Sequence, residues 1–310
     1  MTRHVPQLSL RDFTEGAPAA RAAFSDALFA GLKDYGFIIL TDHNAPPDLI
    51  ARAYDLAEQA FALPEAAKRR YAQGLRGYTP FGVEHAKDSG HPDLKEFWQI
   101  GREPTPEASE PFPDNVWPAE VAGFRDTFQA LYAALDETGR LLLRALAPRL
   151  DLPEGWFDPL VRHGTSILRV LHYPPVAPDT PEGCVRSAAH EDINFLTIML
   201  PARGKGLELL DRDGAWLGVG AGAGELIVNS GDMLARMTNE VIPATTHRVV
   251  NPVGPNVSRY SMPFFMHPAS DVPLKVLPAC LGDGPRHPEI TAGEYLAERL
   301  REIGLEPKAG

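Results

Sequence analysis

The chain reads as an α plus β protein, helical in its first half and sheet-forming in its second. Two observations predict this. Apolar residues recur at the helical period as far as Leu146, and from Ile167 onward they fall into short β-rich runs separated by turn residues. A third observation bounds the size of the unit: 310 residues, 44% of them hydrophobic, can bury a substantial core, and no Pro/Gly-rich linker divides the chain. The expected organisation is a mostly helical region over 1–150, not independent, packed on a core formed by 151–310.

In order, Phe24, Leu28, Leu32 and Tyr35 predict a first helix, and Leu49, Ala53, Leu56, Ala60 and Phe61 a second. Val121, Phe124, Phe128, Leu131, Leu135, Leu142 and Leu146 predict a longer one, ended before Leu150 by Pro148. These stripes are core faces. Between them, Arg76 to Arg102 reads as a loop-rich stretch carrying Tyr78, Phe81, Lys87 and Phe97, mixed polar and aromatic in the way of a specificity loop or of an ordinary solvated one. Ile167 to Tyr173 predicts a strand, stopped by Pro174 and Pro175, which cannot continue a ladder. Turns are expected at Asp213, Gly214 and at Ser230, Gly231, Asp232, with Asp232 a turn former through its own backbone. Thr291 and Glu294 have capping-box spacing and start a last helix with Leu296, Leu300 and Ile303 on one face.

The chemistry-bearing residues sit in the second half. His190, Glu191 and Asp192 form a strand-like run, so His190 and Asp192 share a face while Glu191 turns away as a structural or gating group. His247 follows 55 residues after Asp192. Two histidines and one carboxylate with positions left open is the ligand set of non-haem iron(II) oxygenases, although an H-x-D triplet with a distant histidine also arises by chance. Arg259 and Ser261 again lie two apart on a strand-like run; an arginine among apolar residues needs an anion, either a ligand's carboxylate or an Asp or Glu of the chain. Tyr173 offers a phenol at a strand end, where an amphipathic rim residue is the plain alternative.

Together these residues resemble the isopenicillin N synthase-like branch of the 2-oxoglutarate and iron(II)-dependent oxygenases. The family's H-x-D…H metal motif falls on His190, Asp192 and His247, its R-x-S motif on Arg259 and Ser261, and its co-substrate tyrosine on Tyr173. Glu225 to Leu234 with Thr238 and Asn239 is similar to the family's "VNxGDxL…TN" stretch, and Gly206 to Trp216 to the hairpin before it. Val5 to Leu10 and Tyr35 to Leu40 resemble its N-terminal region, where a helix leads into a first core strand. Leu171 stands where many plant members have an Asn, so one polar contact near the iron is absent.

The resemblance implies a double-stranded β-helix, or jelly roll, flanked by helices and burying Fe(2+) between its two sheets. It also implies O2 chemistry in which 2-oxoglutarate, held by Arg259, Ser261 and Tyr173, is decarboxylated to succinate while a small molecule is hydroxylated, desaturated or cyclised. Isopenicillin N synthase uses the R-x-S motif for its peptide substrate, so an oxidase that does without 2-oxoglutarate is the alternative reading. A zinc hydrolase on the same ligands leaves Arg259 and Ser261 without a purpose, and a non-catalytic jelly roll leaves the metal motif without one. Tyr78, Phe81, Lys87 and Phe97 are the candidate substrate residues.

A net charge of −11 and a pI near 5.4 argue against nucleic acid as a partner. There is no signal-like amino terminus and no long apolar run, and only Cys184 and Cys280 are present. The expectation is a cytoplasmic protein, off the membrane, monomeric or weakly homo-oligomeric, acting on a small molecule.

Overall fold

The computed structural model describes residues 5–85, 91–104 and 112–302. Along the chain run β1 (Gln7–Ser9), α1 (Leu10–Thr14), α2 (Pro18–Tyr35), β2 (Phe37–Thr41), α3 (Pro47–Phe61), α4 (Glu65–Arg69), β3 (Ala72–Gln73), β4 (Arg76–Thr79), β5 (Glu96–Gly101) and α5 (Phe124–Leu146). Then follow α6 (Asp158–Val161), β6 (Ile167–Tyr173), β7 (Ser187–His190), β8 (Leu196–Met199), β9 (Leu207–Leu210), β10 (Trp216–Gly218), β11 (Glu225–Ser230), α7 (Asp232–Met237), β12 (His247–Val249), β13 (Arg259–Ser261), β14 (Pro263–Met266) and α8 (Ala292–Glu302).

The strands form two sheets, a major one ordered β1-β2-β11-β8-β14-β6-β5-β4-β3 with β13 also on β6, and a minor one ordered β10-β9-β12-β7. Strand alternation builds the layers. On β2, Ile38 and Leu40 join the helix-side core while Phe37 and Ile39 join a second apolar cluster. That second cluster combines Met199, Ile227 and Leu171 of the major sheet with Leu207, Leu209 and Val249 of the minor one, so the two sheets pack face to face around it. The outer face of the major sheet is covered by α2, α3 and α5. The sheet packs tightly on α5 at Gly139, where an added Cβ would lie 2.7 Å from the Met266 sulfur and 2.9 Å from Ile198.

Each helix expected from periodicity is present, and the Thr291–Glu294 capping box is formed: Thr291 N–H donates to Glu294 Oε2 at 3.0 Å, and Glu294 N–H to Thr291 Oγ1 at 3.3 Å. Ile303, expected on the face of this last helix, lies outside the described residues. Three expectations change. The sheet is not confined to the second half, because β1 to β5 all precede residue 150. Arg76 to Arg102 is loop-rich only between its ends, since it begins with β4 and closes with β5, both buried throughout, and β5 pairs along its full length with β6; polar residues masked the strand signal by facing other buried polar groups. Asp232 is not a turn former. It opens α7 with its carboxylate buried, accepting from Tyr295 Oη at 3.0 Å, and burial, reinforced by Glu191, pushes its pKa up to about 7.

Candidate active site

The minor sheet brings the histidines together. β12 runs antiparallel to β7 with His247 directly opposite His190, and their rings lie 4.5 Å apart. The strand ends at His190, so Asp192 is placed not by alternation but by a turn tied down elsewhere: its carbonyl accepts the Asp232 N–H at 2.8 Å. Asp192 Oδ2 accepts from Thr197 Oγ1 at 2.6 Å and from Asn229 Nδ2 at 2.8 Å, which leaves Oδ1 facing His190 Nε2 at 3.8 Å and His247 Nε2 at 3.7 Å.

The donor set suits a cation. Each histidine has Nδ1 against a backbone carbonyl, Ala188 O at 2.7 Å and Thr245 O at 3.0 Å, and a carbonyl can only accept, so the protons are on Nδ1 and both Nε2 lone pairs point inward. Burial, with His247 beside it, holds His190 below its ordinary pKa and hence neutral. Burial opposes ionisation of Asp192, yet the two histidines and the Asn229 and Thr197 hydrogen bonds outweigh it and hold the carboxyl below the usual range. Two lone pairs and an anion within 4.8 Å repel one another unless a metal lies between them.

Arg259 and Ser261 lie on one face of β13, both about 2% exposed, opposite Tyr173 and Leu171 of β6. The Arg259 guanidinium lies 5.0 Å from the Tyr173 ring, and its Nε and Nη1 are buried without a hydrogen-bond partner. A buried guanidinium with idle donors fits an incoming carboxylate, which is what 2-oxoglutarate presents. Gly204, with φ of 123°, lies against this side chain; a Cβ there would come within 3.2 Å of it.

A cavity of about 560 Å³ opens beside His190, lined also by Asp192, His267, Lys95, Arg169 and, from α8, Leu296 among others. Of the residues expected to contact substrate, none of the described ones lines it. Tyr78 is buried in the helix-side core, its hydroxyl held by Glu96 and Glu65 and pushed up in pKa by burial and then by Glu96. Phe97 is buried under the Arg169 guanidinium at 4.4 Å, and Phe81 is 47% exposed. Lys87 lies outside the described residues. The aromatic residues of this stretch pack away from the cavity, whereas their polar neighbours Arg76, Glu84, Asp93, Lys95 and Gln99 line it.

Most of those neighbours form a buried ion network. Lys95 Nζ binds Glu84 at 2.9 Å and Asp93 at 2.7 Å, while Arg169 binds Glu84 at 3.0 Å and Gln99 at 3.1 Å. Burial works against the Glu84 carboxylate, but Arg169 and Lys95 outweigh it and bring its pKa to about 2; Lys95 is raised in return. Asp93 also accepts Ala188 N–H at 3.0 Å and Ser187 Oγ at 3.2 Å, bracing the strand that carries His190. Period-based reading passes over such residues because a buried charge looks like a solvated one in sequence. Glu191 is exposed at the cavity's edge, where it accepts from Thr246 Oγ1 at 3.0 Å.

The jelly roll with its His-Asp-His cluster defines a class, the non-haem iron oxygenases, and comparison with known proteins narrows it. A family model described as non-haem dioxygenase in morphine synthesis N-terminal matches residues 5–120, and that of the 2OG-Fe(II) oxygenase superfamily matches 164–268. The chain is 34% identical to a 2-oxoglutarate-Fe(II) type oxidoreductase of Emericella nidulans, over 94% of this chain and 88% of the relative. It superposes on a 2OG-Fe(II) oxygenase family protein from Caulobacter crescentus with a TM-score of 0.86 at 43% identity, covering 97% and 99% of the two chains. For a full-length Neurospora crassa protein solved in complex with alpha-KG the TM-score is 0.87 at 28% identity, covering 96% and 95%.

The chain belongs to the 2OG-Fe(II) oxygenase superfamily. It is an iron(II)- and 2-oxoglutarate-dependent dioxygenase that uses O2 and couples decarboxylation of the co-substrate to oxidation of a small molecule. No helix among the described residues is long and apolar enough to cross a membrane.

Proposed function

We propose that His190, Asp192 and His247 hold the iron(II), that Arg259, Ser261 and Tyr173 receive the far carboxylate of 2-oxoglutarate, and that the 560 Å³ cavity takes the molecule to be oxidised. The observation that carries the reading is a pair of buried groups of opposite demand: a His-Asp-His cluster whose donor atoms converge within 4.8 Å and an Arg259 guanidinium whose Nε and Nη1 have no hydrogen-bond partner in the protein. Bound iron and 2-oxoglutarate supply the oxygen-activating chemistry; the protein's part is placement. Thr197 and Asn229 fix the Asp192 carboxylate, Ala188 and Thr245 fix the imidazoles, and the apolar cluster of Leu171, Met199, Leu207 and Ile227 keeps water from the co-substrate side.

The oxidation is a hydroxylation, desaturation or ring closure. The same Neurospora crassa protein has been seen with thymine, a molecule whose size supports a small-molecule substrate here. The buried free thiols Cys184 and Cys280 support a reducing, cytoplasmic setting, and the net charge of −11 supports work without nucleic acid, as a monomer or weak homo-oligomer. The test is anaerobic titration of the iron(II) protein with 2-oxoglutarate. A metal-to-ligand absorption band is expected, lost in Asp192→Ala and weakened in Arg259→Ala. A wild-type protein that distinguishes 2-oxoglutarate no better than succinate overturns the assignment.

A further inference from the structure

Four Lys or Arg side chains among the described residues line the cavity, and three have carboxylate partners. Lys95 and Arg169 share Glu84, with Asp93 on Lys95. Arg299 is bound to Glu302 at 2.7 Å and reaches Asp232 at 3.5 Å. Arg76 has no carboxylate partner among the described residues. It is 5% exposed; Nη1 donates to its neighbour's carbonyl, Leu75 O, at 3.0 Å, and Nε is buried without any partner. Burial pulls its pKa down, with no carboxylate to restore it.

The position of this guanidinium is built. Gly77, with φ of 73°, breaks the strand alternation between Arg76 and Tyr78, so the tyrosine enters the helix-side core while the arginine reaches the cavity. The guanidinium lies flat on Gly101, where a Cβ would come within 2.2–2.4 Å of its Nη2, Cζ and Nε. A desolvated, immobilised fork of donors without an anion is costly to keep unless a ligand completes it.

We propose that the prime substrate is a small organic acid whose carboxylate docks on Arg76, at the Gly101 end of the cavity that also holds His190 and Asp192. This rests on the reading of that cavity as the substrate site. The volume of about 560 Å³ admits an acid of modest size, and Ile167, paired with Gly101, adds apolar surface beside the guanidinium. Anchoring the acid at one end leaves its carbon skeleton to extend toward the metal ligands.

The test uses the iron(II) protein saturated anaerobically with 2-oxoglutarate, titrated with phenylacetate, hexanoate and N-acetylproline, each beside its primary amide, and with phenyl phosphate. At least one acid should bind at least about tenfold more tightly than its amide, the factor expected of charged hydrogen bonds. Arg76→Leu should erase that preference, Arg76→Lys should keep part of it, and Gly101→Ala, whose methyl occupies the guanidinium's place, should reduce it without touching the charge. No acid surpassing its amide in the wild type, or an undiminished preference in both Arg76→Leu and Gly101→Ala, overturns the proposal. So does tighter binding of phenyl phosphate than of phenylacetate, which would make the ligand a phosphate ester. Acids that bleach the 2-oxoglutarate band have gone to Arg259 and also count against it. If the band never forms, the reading of the whole site fails; if it forms and acids show no advantage, only this inference does.

Discussion

Two buried polar regions hold their charges in opposite ways. Between the two sheets, Arg259 sits beside an apolar cluster with idle donors. In the cavity, Lys95 and Arg169 are matched by Glu84 and Asp93 within hydrogen-bond distance. A buried charge that is matched holds the scaffold in register; one that is unmatched is kept for a ligand, because leaving it empty costs stability that only binding recovers. By that criterion Glu84, Asp93, Lys95 and Arg169 support the site, in keeping with the proposal that the His-Asp-His cluster and Arg259 receive the reactants.

The sharpest break in this comparison is at the metal. His190→Ala or Asp192→Ala should abolish stoichiometric anaerobic iron(II) binding near neutral pH, and iron analysis of the purified variants would show retained metal if the cluster were only structural. Next comes the matched network. Removing one partner of a buried pair strands the other, so Glu84→Ala should lower unfolding free energy by about 3–5 kcal/mol in urea titrations. A loss under about 1 kcal/mol would mean that the network is as dispensable as a surface pair.

The same network sets an acid limit. The folded-state pKa of Glu84, about 2, lies below its ordinary value of 4.5, so its stabilisation is fully present above 4.5 and is lost as pH falls through 2. Thermal melts from pH 5 to pH 2 should fall less steeply for Glu84→Gln than for the wild type. On the unmatched side, Arg259→Ala should weaken 2-oxoglutarate binding by about 1.5–3 kcal/mol while leaving urea stability nearly unchanged, the reverse of the Glu84 result. The smallest effect belongs to Tyr173→Phe, expected to cost 2-oxoglutarate binding about 1.5 kcal/mol, the lower end for a single hydrogen bond to a charged group. Equal losses of binding and stability in both regions would erase the distinction.

The sequence by itself determined the helices α2, α3 and α5, the strand Ile167 to Tyr173, the capped last helix and the motif residues proposed for metal and co-substrate. Periodicity and short-range spacing carry those signals, since a helix stripe such as Phe128, Leu131 and Leu135 or a pair such as Arg259 and Ser261 is defined within a few residues. Only the tertiary structure decided that β4 and β5 are buried strands, that Asp232 is a buried acid bonded to Tyr295, and that Asp192 is aimed by Thr197 and Asn229. It also decided that Tyr78 belongs to the core while Arg76, two residues before it, belongs to the cavity. The physical reason is common to all of these: whether a charged residue is solvated, paired in the interior or left waiting depends on partners far along the chain. Arg169 is matched by Glu84 across 85 residues, whereas Arg259 has no such partner among the described residues.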